Sequence, residues 1–371
     1  MQTLIFEGVV TALSSVSHNG GQVFGNSAPF RREKFKLRTG ETVLMPVVSG
    51  NSIRGVLRDR GMLHMCRLLG YGVEEEGFQE TAERVAVASE EGERIRLDAA
   101  ESHAVRRSGL SLPAFHFLFS GGALTSEGGK AINIEKALRI RRVLPLAGVF
   151  GGATGNMILP GKLICHKMIP ICEETLHLLP RRFHPAWCVL HQHVAPHCGC
   201  TPQATTQSIW EYLQTETYTR RDDAKNPHRH ALLQAQARPQ IAGPQPTLLP
   251  TDVEPPDDDP PGSGQKQQMI YEIETLCAGT DLHWKILLDD VWAIEFESFA
   301  TALREFSRRP YIGGKSGIGH GEVSVHLDRW MSIDSRVQVD STDVAFPLGT
   351  AYAQHIQRHG AVMREELARM I

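Results

Sequence analysis

The thirteen residues Tyr311–Val323, YIGGKSGIGHGEV, hold five glycines and one lysine. Backbone amides at glycine approach a ligand closely because no Cβ intervenes, and Lys315 adds a charge, so the stretch has the chemistry of an anion site. Its Gly-Lys-Ser looks like the end of a nucleotide-binding P-loop, but the spacing excludes that. Position 309, where the first glycine of such a loop belongs, is Arg309, and Pro310 follows it. The elements also run in the wrong order. Phe299, Leu303 and Phe306 recur at i, i+4, i+7 and predict a helix over Glu297–Arg309. Val323, Val325 and Leu327 alternate with polar neighbours and predict a strand after the glycines. A P-loop needs strand, loop, helix; here the order is helix, loop, strand.

Two other groups of residues invite the same question. Asn51, Arg54 and Arg58 fall at i, i+3, i+7 on a helix that Ser49 or Asn51 can cap, with Val56, Leu63, Cys66 and Leu69 marking its buried side. Arginine forks near a helix N-terminus suit phosphate. The run CVLHQHVAPHCGC gathers Cys188, His191, His193, His197, Cys198 and Cys200. Four such side chains can hold zinc, but the spacing matches no standard finger, and we expect no bound metal.

Those residues must be carried by a chain of 371 residues with 41% hydrophobic composition, enough for one large core with insertions or for two domains. No stretch approaches a membrane span, and MQTLIFEGVV lacks a secretory signal. Seven unevenly spaced cysteines fit a reducing compartment, so the expected location is cytoplasmic, with no membrane contact. The net charge of −3 argues against nucleic-acid binding only until it is divided. Residues 1–60 carry eight Lys/Arg against four Asp/Glu, whereas residues 73–101 carry ten acids against three bases. Segregation of this kind hides a basic surface inside a mild total.

Residues 1–70 read as the first half of the core: a strand through Leu4, Phe6, Gly8, Val10 and Ala12, a long functional loop over Ser15–Glu41, then the Arg54 helix. Residues 71–145 read as an inserted finger lobe, and 146–199 as returning core strands with a glycine loop. Residues 200–268 form a thumb-like excursion whose Pro/Asp-rich end, with eight prolines in Pro239–Pro261, favours disorder. Residues 269–371 complete the core: two strands joined through Ala278-Gly279-Thr280, the second helix, the glycine loop, a strand and a tail helix over Ala351–Ile371. The order is that of an α+β, ferredoxin-like βαββαβ fold with two long insertions.

Several segments resemble, in order, the RAMP superfamily of CRISPR RNA-binding proteins. They are Ala12–Gly21 with its His-Asn-Gly-Gly, Val48–Arg58 (VSGNSIRGVLR), Phe150-Gly-Gly with Gly161-Lys-Leu, Glu272–Thr280 (EIETLCAGT), and Ile312–Glu322 (IGGKSGIGHGE). Each is weak alone; the ordered set spans most of the chain. Within the superfamily the sequence is most similar to the repeating backbone subunits, and the Asn51 variant and proline-rich insertion look most like the type IV backbone subunit.

The resemblance implies a guide-RNA-binding subunit that oligomerises helically along crRNA, beside other effector subunits, and presents the guide to target nucleic acid, with DNA the better guess than RNA. It implies RNA contacts at His18 and Asn19, at Asn51, Ser52, Arg54 and Arg58, at Arg139 and Arg142, at Arg220 and Arg221 where the thumb begins (with Tyr218 as a wedge), and at Gly313, Gly314, Lys315, Ser316 and Gly317. Type III relatives cut RNA with an aspartate after the first strand. Ser15–Gly40 contains no aspartate, and its one acid, Glu33, lies between Arg32 and Lys34. Metal-assisted cleavage needs carboxylates. The expectation is therefore a binding protein, with no cofactor and no nuclease activity. The alternative is a RAMP-type endoribonuclease that processes guide precursors, with His18 as its histidine.

Overall fold

The structure, a computed structural model, describes residues 2–20, 27–71, 109–122, 134–154, 157–184, 187–188, 193–194, 206–220, 269–333, 335–339 and 350–370. The Cys/His cluster lies almost wholly outside the described residues, as do Arg221 and the Pro/Asp-rich stretch.

The chain opens with strand β1 (Gln2–Ala12), then the short β2 (Val16–Ser17) and β3 (Ser27–Ala28), and a hairpin of β4 (Arg32–Lys36) and β5 (Thr42–Pro46). Helix α1 spans Gly50–Leu68. After it come α2 (Leu112–Phe115), which runs into a π-helical turn over His116–Ser120, then α3 (Ile134–Val143) and α4 (Pro145–Phe150). Strands β6 (Gly152–Thr154), β7 (Met157–Leu159), β8 (Leu163–Cys165) and β9 (Ile169–Pro170) follow, with the small pair β10 (Trp187–Cys188) and β11 (His193–Val194). Strands β12 (Leu213–Arg220), β13 (Met269–Leu276) and β14 (Asp281–Val291) lead to α5 (Ala293–Arg308). Then β15 (Val323–Ile333), β16 (Ser335–Val339) and α6 (Thr350–Ala368) close the fold.

The main sheet runs β16-β15-β1-β14-β8, with β9 also on β14. β1 is antiparallel to both β14 and β15, and β8 is antiparallel to β14. The two units β1–α1–β8 and β14–α5–β15 therefore interleave in one antiparallel sheet, the ferredoxin-like order read from the sequence. Period-two alternation sets the core. Leu4, Phe6, Val10 and Ala12 of β1 and Leu282, Trp284, Ile286 and Leu288 of β14 point at the helices and are buried. They meet Ile53 and Leu57 of α1 and Phe299, Leu303 and Phe306 of α5, with Phe6 and Phe299 centroids 5.6 Å apart. Each such side chain contributes about 1.5–3 kcal/mol by leaving water. The sheet's other face is polar at its centre: Glu7 meets His283 Nε2 at 3.1 Å and the Arg182 guanidinium at 2.5 Å.

The two strands joined through Ala278–Thr280 are present and lie in different sheets: β13 joins β12, β2 and β3 in a second sheet, while β14 belongs to the first. Three sequence readings need correction. The stretch Ser15–Glu41 is not one loop but carries β2, β3 and the first arm of the β4–β5 hairpin. Part of the inserted lobe is core, since Phe115, Phe117, Leu118 and Ile140 are buried in the same cluster as α1. That covering also corrects the reading of Asn51, Arg54 and Arg58 as a stripe facing away from the buried side: Asn51 is exposed but Arg58 is only 8% exposed, because α1 is packed by the sheet and α5 on one side and by the His116–Ser120 turn and α4 on the other.

Candidate nucleic-acid interface

The glycine loop is sewn to the end of the first strand unit through the backbone. Gly314 N–H donates to Ser17 O at 2.7 Å and Gly321 N–H to Ser15 O at 2.8 Å. Two glycines are obligatory for this approach. Gly313 has φ +73, and a Cβ there would lie 2.1 Å from Ser17 O; Gly321 has φ +86, and its Cβ would lie 2.1 Å from Ile312 O. Lys315 adopts φ 62, a left-handed conformation uncommon for a residue with a side chain. The result is a one-turn 3₁₀ helix, Ser316–Ile318, whose flanks from Gly314 to Gly319 are exposed, with Lys315 at the head and Ile318 58% exposed.

Ser17 connects this loop to the next candidates. His18 follows it, and His18 Nε2 accepts the Ser49 N–H at 3.1 Å, at the N-cap of α1. Burial, with Arg31 close by, pushes the His18 imidazole down to about 4, so it is a neutral acceptor at pH 7. Ser49 caps α1 by accepting the Ser52 N–H at 3.4 Å. Gly313, Gly314, Lys315, His18, Ser52 and the exposed Asn51 thus lie along one continuous line, with Asn19 beside it bridged to Phe30. Ser316 and Gly317 sit on the exposed turn.

Arg54 and Arg58 point elsewhere. Arg58 Nη2 donates to Phe150 O at 2.7 Å and to Gly151 O at 2.8 Å, and its guanidinium lies 5.8 Å from the Phe150 ring centroid. Arg54 donates to the same Phe150 carbonyl, and Arg141 Nη2 reaches Pro160 O at 2.6 Å. Arg54 and Arg58 thus cap the carbonyl end of α4 and its following residue. Burial and the neighbouring Arg54 push the Arg58 guanidinium down to about 10, with Asp59 opposing. Arg54 and Arg58 wall a cleft of about 800 Å³, which Asn51, Phe119, Gly122 and Ile158 also line. Arg139 is held by buried Glu366 of α6 at 2.7 Å, away from the glycine loop's line, while Arg142 is exposed on α3. Arg220 ends β12, in register with Met269.

A polar cluster the sequence reading did not assign locks the glycine loop to the second sheet. His320 is buried, and its Nδ1–H donates to Ser15 O at 3.2 Å; its Nε2 meets the Tyr218 hydroxyl and lies 3.7 Å from Glu216. The Tyr218 hydroxyl donates to Glu216 at 2.6 Å, and Thr275 donates to Glu216 at 2.9 Å. Burial alone pushes the Glu216 carboxyl upward, but hydrogen bonds from Tyr218, Ser15 and Thr275 and the nearby His320 outweigh it and hold it at about 2. Tyr218 is therefore anchored. The signal was present: Glu216 and Tyr218 alternate on β12 and so share a face, and His320 closes the glycine run. Glu33 is ion-paired with Lys167. Among the described residues, no group of three His, Cys, Asp or Glu side chains can hold a metal, and no helix is long and apolar enough to cross a membrane.

Comparison with solved structures finds many chains of similar fold. A chain of a solved structure titled "Type IV-B CRISPR Complex" superposes with a TM-score of 0.44 at 17% identity, covering 93% of this chain and 98% of that one. No family model matches, and no curated protein matches.

Proposed function

We propose that this chain is a guide-RNA-binding subunit of a type IV-like CRISPR ribonucleoprotein, repeated helically along crRNA, that presents the guide to target DNA and does not itself cut. The observation that carries this reading is the line from the α1 N-cap through His18 and Ser17 to the exposed glycine turn. It offers backbone amides, one lysine and a helix N-terminus, which bind phosphates without regard to sequence. The order of motifs shared with RAMP proteins supplies the guide RNA and the partner subunits. His18, on which the endoribonuclease alternative rests, already spends Nε2 on Ser49 N–H, which supports binding over proton transfer.

Such a subunit packs head to tail on its own copies, an arrangement that stays open unless its rotation closes a ring. Mixed with RNAs of increasing length, the purified protein should give proportionally larger particles with a fixed number of nucleotides per copy. It should leave precursor RNA intact. Particles that stay monomeric on every RNA, or discrete cleavage products, would replace this reading with the processing enzyme.

A further inference from the structure

A single exposed tryptophan is ordinary, but Trp210 is held out rather than left out. It sits in the short 3₁₀ turn before β12, where its neighbour Ile209 is 1% exposed and Trp210 itself 58% exposed. The turn is fixed from below: Glu174 accepts the Ser208 hydroxyl at 2.5 Å and the Ile209 N–H at 3.0 Å. Buried Ile209 anchors the turn while the indole is presented to solvent. The Arg32 guanidinium lies 5.8 Å from its ring centroid and is oriented by an ion pair with Glu274, which also accepts the Phe30 N–H at 2.8 Å.

Arg32 begins β4, and the strand's alternation puts Arg32, Lys34 and Lys36 on one face. Lys34 and Lys36 are exposed, and Lys34 faces the half-exposed Leu44 across the hairpin. The opposite face is spent: Glu33 pairs with Lys167, which also covers the Phe35 ring at 5.9 Å. Same-face residues on a strand are about 6.7 Å apart, so each lysine can meet its own phosphate of an extended strand. Glu41 follows the hairpin turn, Glu211 follows Trp210, Glu173 and Glu174 share a cleft with Arg38, and Arg38 itself stands exposed in the turn.

We propose that Trp210 and the outer face of the β4–β5 hairpin form a second contact for single-stranded nucleic acid: a base stacks on the indole beside Arg32, and the adjoining phosphates lie on Lys34 and Lys36. The choice of ligand follows from the pairing of a rigid aromatic face and arginine plane with a row of lysines, which is how unstacked strands are held irrespective of sequence. It rests on the guide-RNA reading above and adds a site away from the glycine loop.

The test measures anisotropy of a fluorescein-labelled oligouridylate against the full chain at several salt concentrations. Trp210→Ala should weaken binding roughly 5- to 150-fold, the range expected for one base–aromatic stack, with the salt slope unchanged. Trp210→Phe should recover most of it. Lys34→Ala with Lys36→Ala should reduce the log–log salt slope by about 1.4. Melting temperatures check that the variants fold, and exposed positions should hold them. If the wild-type chain binds RNA while Trp210→Ala and the double-lysine variant bind equally well, this contact is overturned and the guide-RNA reading stands. A wild-type chain that binds no RNA overturns both.

Discussion

The α1 cleft and the glycine loop treat their cations in opposite ways. In the cleft, Arg54 and Arg58 are turned inward and spend their donors on the carbonyls of Phe150 and Gly151. In the loop, the backbone does the structural bonding, through Gly314 and Gly321 to Ser17 and Ser15, and Lys315 is left exposed. Where arginine forks replace missing backbone partners, the charge is consumed by the fold; where glycines let the backbone close on itself, the charge stays available for a ligand.

The largest expected effect sharpens the first half of that contrast. Arg58→Ala takes the donor from Gly151 O, leaves Phe150 O to Arg54 alone and opens a void, and should cost about 3 kcal/mol in chemical denaturation. Arg58→Lys should not rescue it, because an ammonium cannot fork between Phe150 O and Gly151 O. An unchanged unfolding midpoint together with a lower RNA affinity would reverse the assignment and make Arg58 a ligand contact.

The link between the two regions has its own pH dependence. The His18 imidazole is depressed to about 4 from an ordinary 6.5, so the unfolded chain takes up its proton first. Stability from this group is present above about 6.5 and is lost progressively as pH falls toward about 4, by roughly 1–3 kcal/mol. His18→Gln should flatten that part of a stability-versus-pH curve, read by urea melts.

Gly313→Ala breaks the loop's closure: it forces a side chain into φ +73 and against Ser17 O. A loss of about 1–3 kcal/mol is expected, with RNA affinity falling alongside, by calorimetry and anisotropy. The smallest effect is at Lys315. Lys315→Ala should change stability by less than about 0.5 kcal/mol and reduce the salt slope of RNA binding by about 0.7. A stability loss comparable to that of Arg58→Ala would erase the distinction between the regions.

The periodicities of β1 and α5 were legible because each keeps its large apolar side chains on one face, so Leu4, Phe6, Phe299 and Phe306 announce it. α1 was misjudged at Arg58 because it is covered on both sides; a polar residue there is buried by partners far along the chain that periodicity cannot see. The β4–β5 hairpin escaped notice because REKFK holds one apolar residue and its inner face is completed by Lys167. The separation of β13 from β14 was illegible for a related reason. Both strands alternate correctly, and only pairing with β12 on one side and β1 on the other assigns them to different sheets.

That separation gives the molecule a fulcrum. The turn between β13 and β14 is pinned to the end of β1, with Gly279 N–H on Ala12 O at 2.7 Å and Ala12 N–H on Thr280 O at 2.9 Å. A pull on the β12–β13 ribbon reaches the central strand of the main sheet through that turn and through β2, which pairs with β13. The Glu216–His320 tie is a second strut that carries the same load to the glycine turn. Ribbon and turn are therefore tied to each other by a route of strand pairing and side-chain contacts that bypasses the helices.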